Sequence, residues 1–246
     1  MLSRRTLPLT LASLLGGASG LARATKPVWV CHDVPPYLWQ GPKGLEGYAF
    51  TLYQRVMKQA GMAPDLQCYP FARAFRMLET GQAQAALVVT RSPDREARFR
   101  WLYPVGRFRF GVFTRVTSGA VPTTVNELKA YRVGSLRAST SRAMLESAGA
   151  QIVVEGKDYA ELLTLLNRGI VDAVIGPESV LRSTDTSGGE GLRITTLDKG
   201  HDFYTAASMA MSEAAAQRVR AAYQQLVEAG VVAQLRKAHP EAVVPD

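Results

Sequence analysis

Two stretches of the chain repeat one another in kind, Met77-Leu78-Glu79-Thr80-Gly81-Gln82-Ala83-Gln84-Ala85-Ala86-Leu87 and Leu165-Leu166-Asn167-Arg168-Gly169-Ile170-Val171-Asp172-Ala173-Val174-Ile175. Each reads as the end of an amphipathic helix, a glycine stop, a short connection and an apolar run suited to a buried strand. A strand buried on both faces needs helices on both sides, so each stretch belongs to an α/β unit. Two such units in one chain predict two lobes with a cleft between them.

The flanking sequence extends both units. Val28–Cys31 is an apolar strand that ends in Asp33-Val34-Pro35-Pro36-Tyr37, where neither helix nor central strand continues. Leu52, Tyr53, Val56, Met57 and Ala60 fall at helical spacing before Gly61. A strand over Leu66–Tyr69, a helix over Ala72–Glu79 and a strand over Ala85–Val89 complete a β-α-β-α-β order. After the Ser/Thr/Gly/Pro stretch 117–124 the order restarts. Strands fall at Tyr131–Leu136, Ile152–Val154 and Ala173–Ile175, with helices from Ser141 and over Tyr159–Arg168. A strand at Tyr204–Ala210 and helices over Met209–Ala229 and Val231–His239 return the chain to the first unit. The expected division is a first lobe of residues 25–112 and 204–246 and a second of 113–203. Hinge crossings are expected near Phe110–Arg115 and Lys199–Tyr204. The expected fold is therefore α/β, two mostly parallel sheets flanked by helices.

Residues 1–24 read as a targeting segment outside this fold: Arg4 and Arg5, the mostly apolar Thr6–Ala18, and a small-x-small site at Ala22-Arg23-Ala24. The apolar run is shorter than the roughly 20 residues a spanning helix needs. Ser3-Arg4-Arg5-Thr6-Leu7 also resembles a twin-arginine export signal, and an ordinary secretory signal fits as well. The expected product is soluble, lies outside the cytoplasmic membrane and starts near Thr25. Setting aside Arg4, Arg5 and Arg23 lowers the formal net charge from +8 to +5. Hydrophobic residues make up 47% and charged residues 20%, which excludes a disordered or low-complexity chain. An oxidising compartment permits Cys31 and Cys68 to form a bridge; two buried thiols fit equally, and no second Cys/His cluster exists to complete a metal site.

Ligands of open α/β sheets collect beyond the carboxyl ends of strands. Three segments lie there. Asp33–Tyr37 offers a carboxylate and a ring. Thr90 to Arg95 offers a hydroxyl, backbone N–H groups and a guanidinium able to hold both oxygens of a carboxylate. Ser139-Thr140-Ser141 offers hydroxyls at a helix start, where the dipole favours an anion, although the same residues also read as a plain helix cap. The arginines from Arg73 to Arg115 read as a solvated basic surface or as steering for an anion. Nucleic acid is not expected as a partner, since the sequence carries no nucleic-acid motif.

In order along the chain these segments, with Gly44-x-x-Gly47-Tyr48, Pro70-x-x-Arg73-Ala74, Trp101-x-x-Pro104, Arg132-Val133-Gly134, Gly169-x-x-Asp172-Ala173 and Ala229-Gly230, resemble the type II periplasmic solute-binding proteins, in the branch serving polar amino-acid ABC importers (family 3). The resemblance implies a two-lobed, monomeric receptor without cofactor or metal that closes on a small carboxylate-bearing solute and presents it to a membrane permease. It implies that Arg95 and Thr90 take the carboxylate, that Ser139 and Thr140 close over it, that Tyr37 and Tyr69 wall the pocket, and that Asp33 reads side-chain polarity. The chain departs from the pattern in two places. Pro177 stands where relatives carry the aspartate that holds an α-ammonium group, with Glu178 beside it as a substitute, and Ala49-Phe50 lacks an acidic residue usual in that region. Two other functions share this scaffold. One is a dehydratase-like enzyme, for which Glu178, Asp33 and His32 are the acid–base candidates. The other is a sensor or accessory subunit signalling to a membrane partner.

Overall fold

The computed structural model describes residues 27–188, 191–198 and 200–242; the targeting segment expected at 1–24 lies outside them. In chain order the elements are β1 (Val28–Cys31), a hairpin of β2 (Trp39–Gly41) and β3 (Gly44–Glu46), α1 (Tyr48–Ala60), β4 (Asp65–Cys68), α2 (Phe71–Glu79), β5 (Ala85–Arg91) and β6 (Phe99–Phe108). Then come β7 (Phe110–Arg115), β8 (Val133–Leu136), α3 (Thr140–Ala148), β9 (Ile152–Gly156), α4 (Tyr159–Asn167), β10 (Ala173–Pro177), α5 (Glu178–Thr184) and β11 (Leu192–Thr196). β12 (His201–Ser208), α6 (Glu213–Glu228) and α7 (Val231–Ala238) close the fold.

The strands form two five-stranded sheets, ordered β4-β1-β5-β12-β6 and β11-β7-β10-β8-β9. In each, four strands share a direction and one is reversed: β12 runs antiparallel to both its neighbours in the first sheet, and β7 does so in the second. The reversed strand is in both cases the one by which the chain enters from the other sheet. The sheets and their helices are the two lobes. The repeat seen in sequence falls on α2–β5 and α4–β10, and both strands are almost wholly buried. Gly81 (φ 74°) and Gly169 (φ 71°) end the two helices in the left-handed conformation that disfavours any side chain.

The crossings differ from expectation by a few residues. Phe110–Arg115 is already a strand of the second sheet, and His201 already pairs in the first, so the chain passes between sheets at 108–110 and 196–201. The β-branched and aromatic residues there continue hydrogen-bonded pairing through what read as connection. Leu197 N donates to Phe110 O at 2.8 Å and Phe110 N to Asp198 Oδ1 at 3.2 Å, so the two crossings are tied side by side. The last long helix starts at Glu213, later than the expected Met209, because Ser212 caps it by accepting from Ala215 N.

Cys31 and Cys68 form a disulfide between directly paired positions of β1 and β4. The arginine-rich stretch disperses into surface pairs, among them Arg91–Glu96, Arg98–Glu79 and Arg100–Glu213. No described helix is long and apolar enough to cross a membrane.

Candidate functional site

The strands β1 and β5 end at one side of the first lobe, facing the end of β8 and the starts of α3 and α4 in the second. Between them lies a cleft of two adjoining chambers. The outer one measures about 280 Å³; His32, Asp33, Leu38, Tyr69 and Phe71 line it from the first lobe, and Leu136, Lys157, Asp158 and Tyr159 from the second. The inner one is about 30 Å³, with Val88, Thr90 and Phe203 on one side and Ser139, Thr140, Ser141 and Pro177 on the other. His32, Val34, Phe71, Leu136 and Tyr159 border both.

The inner chamber gathers hydroxyl groups and the start of α3. Ser139 caps α3 by accepting from Arg142 N at 3.1 Å, and its hydroxyl also lies 2.8 Å from Ser141 Oγ. This is the cap geometry the sequence allowed, and it leaves the helix start open to the chamber. Thr140 Oγ1 is buried without a hydrogen-bond partner. Arg95 reaches this end from the first lobe: it is 4% exposed, stacks over the Phe75 ring at 4.3 Å, and donates from Nη2 to Ala138 O at 3.2 Å, while Nη1 is buried and unpartnered. Burial lowers its pKa to about 10, so the guanidinium is charged at neutral pH. Two residues beside this region carry a backbone that side chains avoid: Val88 (φ 56°) in the chamber wall, and Ala138 (φ 59°), whose carbonyl receives Arg95.

The outer chamber is walled by apolar and aromatic groups. Tyr69 donates to Gln67 Oε1 at 2.6 Å, and Arg73 covers its ring at 4.1 Å. His32 packs against Phe71 at 4.9 Å between ring centroids, and burial lowers its pKa to about 4, which keeps it neutral. At the mouth, burial raises the pKa of Asp33, the Gln40 N–H opposes that shift, and the charge of Asp158 adds to it.

Of the residues expected at the site, Asp33, Tyr69, Thr90, Ser139 and Thr140 line the chambers. Arg95 stands just behind the inner chamber and lines neither. Two lie elsewhere. Tyr37 is fully buried, donates to Arg107 O at 3.1 Å and meets Ser179 Oγ at 3.3 Å; it is a contact between lobes rather than a wall of the cleft. Glu178 turns away: Oε1 accepts from Arg182 at 2.9 Å and Oε2 from Thr196 at 2.8 Å, so Pro177 alone faces the chamber there. Burial pushes the pKa of Glu178 up, but the hydrogen bonds from Arg182 and Thr196 and the charges of Arg182 and Arg109 together lower it, which leaves it unsuited to donate a proton. Residues not singled out as pocket walls include Phe71, Leu136 and Tyr159, which border both chambers, and Lys157 and Asp158. Phe71 adjoins the Pro70-x-x-Arg73 motif, and Tyr159 follows the Asp158 helix cap, but neither spacing reveals a cleft-facing side chain.

Comparison with known proteins places this geometry. A profile of the bacterial extracellular solute-binding proteins, family 3, matches residues 28–239. Among solved structures, a histidine kinase sensor domain with similarity to periplasmic binding proteins superposes with a TM-score of 0.79 at 18% identity, covering 90% of this chain and 99% of that one. The P235GK mutant of ArgBP from T. maritima gives 0.77 at 17%, covering 88% and 95%. AbpA from Streptococcus pneumoniae, bound to L-arginine, gives 0.74 at 21%, covering 89% and 97%. No curated protein sequence matches. At these identities the structural likeness establishes the two-lobed fold.

Proposed function

Because this chain belongs to the bacterial extracellular solute-binding proteins, family 3, a family of binding proteins and not of enzymes, we propose that it is a periplasmic receptor that captures a small carboxylate-bearing solute, an amino acid or a relative of one, and delivers it to the permease of an ABC importer. A leader at residues 1–24 exports it, and it acts as a monomer. The observation that carries the reading is the Thr90, Ser139 and Thr140 hydroxyls brought together at the inner chamber from both lobes, with Arg95, whose Nη1 is buried and unpartnered, directly behind it. A carboxylate there satisfies donors that otherwise lack acceptors, and exclusion of water strengthens its pairing with Arg95. Closure is motion of the lobes about the tied crossings at 108–110 and 196–201.

A thermal-shift screen of amino acids and small organic acids on the exported form tests this, since a ligand of the folded state raises the melting temperature. Arg95→Ala is expected to abolish the shift while leaving a folded protein. Unchanged affinity in that variant overturns the site.

The similarity to a histidine kinase sensor domain favours a second reading, an accessory subunit that reports occupancy to a signalling protein. Capture of the membrane partner distinguishes the two: a permease supports the first reading and a sensor kinase the second.

A further inference from the structure

The inner chamber lacks a partner for an α-ammonium group. Among its described lining residues there is no Asp or Glu, and Glu178 is held by Arg182 and Thr196. At about 30 Å³ it holds little beyond the carboxylate itself. An ammonium next to that carboxylate would be buried near Arg95, of like charge, with no Asp or Glu among the described residues lining that chamber to offset its lost hydration.

His32 and Tyr159 are the polar side chains that border both chambers. His32 therefore faces whatever joins a carboxylate in the inner one to a body in the outer one. It is 7% exposed and packs edge-on against Phe71, with its ring forming part of the wall of both chambers. A polar ring in a cavity wall is available to a ligand group that enters the cavity. A neutral imidazole offers one donor and one acceptor, which suits a hydroxyl or carbonyl oxygen.

The outer chamber sets the rest of the molecule. Val34, Leu38, Leu45, Phe71, Leu136 and Tyr159 give it an apolar wall with room for a ring. At its mouth Asp33 and Asp158 approach from opposite lobes with Lys157 beside them, a net charge that repels a second carboxylate.

We propose that the solute is a monocarboxylate with an apolar, ring-sized body and a neutral oxygen, hydroxyl or keto, in place of the α-ammonium group, and that His32 hydrogen-bonds that oxygen. This rests on the carboxylate-receptor reading and narrows it.

Four probes differing by one group each test it by calorimetric titration of the exported protein: L-3-phenyllactate, 3-phenylpropanoate, L-phenylalanine and a phenyllactate bearing a para-carboxylate. The expected order is phenyllactate first, phenylpropanoate roughly tenfold weaker, and phenylalanine and the dicarboxylate weaker still by tenfold or more. His32→Phe is expected to bring phenyllactate and phenylpropanoate to equal affinity, and His32→Gln to restore part of the difference. Phenylalanine binding as tightly as phenyllactate overturns the proposal and leaves the receptor reading intact. So does an unchanged phenyllactate preference in His32→Phe. Absence of binding by all four overturns the proposal; if the amino acids and organic acids of the thermal-shift screen also fail, the carboxylate reading falls with it. The wild-type series decides the solute class even if the His32 variants fail to fold.

Discussion

Tyr37 Oη, at the end of the loop leaving β1, lies 3.3 Å from Ser179 Oγ at the start of α5 and donates to Arg107 O at 3.1 Å. One hydroxyl thus joins the cleft-forming loop of the first lobe, the strand that leads out of it, and the second-lobe helix that follows Pro177. Its pKa is pushed up to about 12, chiefly by burial, so it is a neutral donor throughout the physiological range. Tyr37→Phe keeps the ring packed on Phe203, 5.0 Å away between centroids, and removes only the hydroxyl. The expected loss of unfolding free energy is about 1 kcal/mol, with a larger ligand-free radius of gyration by X-ray scattering. An unchanged radius means that this hydroxyl does not hold the lobes together.

The Cys31–Cys68 disulfide closes a loop with a sequence separation of 37 residues and fixes the ends of β1 and β4, from which His32, Asp33 and Tyr69 project. Cys68 lines the outer chamber and is accessible to a reductant. The Cys31→Ala/Cys68→Ala variant is expected to lose about 2–4 kcal/mol of stability, measured by urea denaturation. It is also expected to weaken binding at temperatures where it is still folded. Full affinity in the folded double variant shows that β-pairing alone orders these loops.

His32 gives a pH dependence of known sign. Its folded pKa, near 4, is below the unfolded value of 6.5, so between those pH values the unfolded chain binds the extra proton. Stability is complete above pH 6.5 and falls as the pH drops toward 4, by about 1.4 kcal/mol per pH unit at the steepest. The groups around the cleft near the ring include Asp33, Tyr69, Lys157, Asp158 and Tyr159. In His32→Gln the slope of denaturation free energy between pH 6.5 and 4 should flatten relative to the parent protein; an identical slope assigns it to other groups.

Asp172 serves the second lobe's frame and not its ligand. It accepts from Arg132 Nε at 2.9 Å and Nη2 at 2.8 Å and pairs with Arg115, and these partners, Arg132 first, hold its pKa near 2. A carboxylate with a depressed folded pKa stabilises above its unfolded value of about 3.9, and that contribution is lost as the pH falls through 2. Asp172→Asn is expected to lower stability at neutral pH by about 1–3 kcal/mol, with ligand affinity unchanged at a temperature where the variant is folded. A selective loss of affinity would give Asp172 a role in the site.

Local patterns made much of this fold legible. The helix–glycine–strand stretches at 77–87 and 165–175 expose their own ends, because only glycine adopts φ near +70° without strain and a doubly buried strand must be apolar throughout. The ten-residue β6 was not visible, since its Arg100, Pro104, Gly106 and Arg107 break the alternation that marks a strand. Its partner β12 supplies the pairing that makes it one. At the cleft, the positions of Thr90, Ser139 and Thr140 on the chamber wall follow from strand ends and helix starts, which are local features. Tyr37 and Glu178 could not be placed, because a motif fixes the position of a backbone and not the direction of its side chain.

The sequence by itself determined that there are two α/β units, where their strands end, and which donors stand at those ends, because periodicity, glycine stops and helix caps act over a few residues. Only the tertiary structure decided that Arg95 reaches Ala138, that Glu178 turns to Arg182, and that His32 borders two chambers. Those choices depend on which groups from distant parts of the chain compete for each donor and acceptor once water is excluded, and that competition exists only in the packed protein.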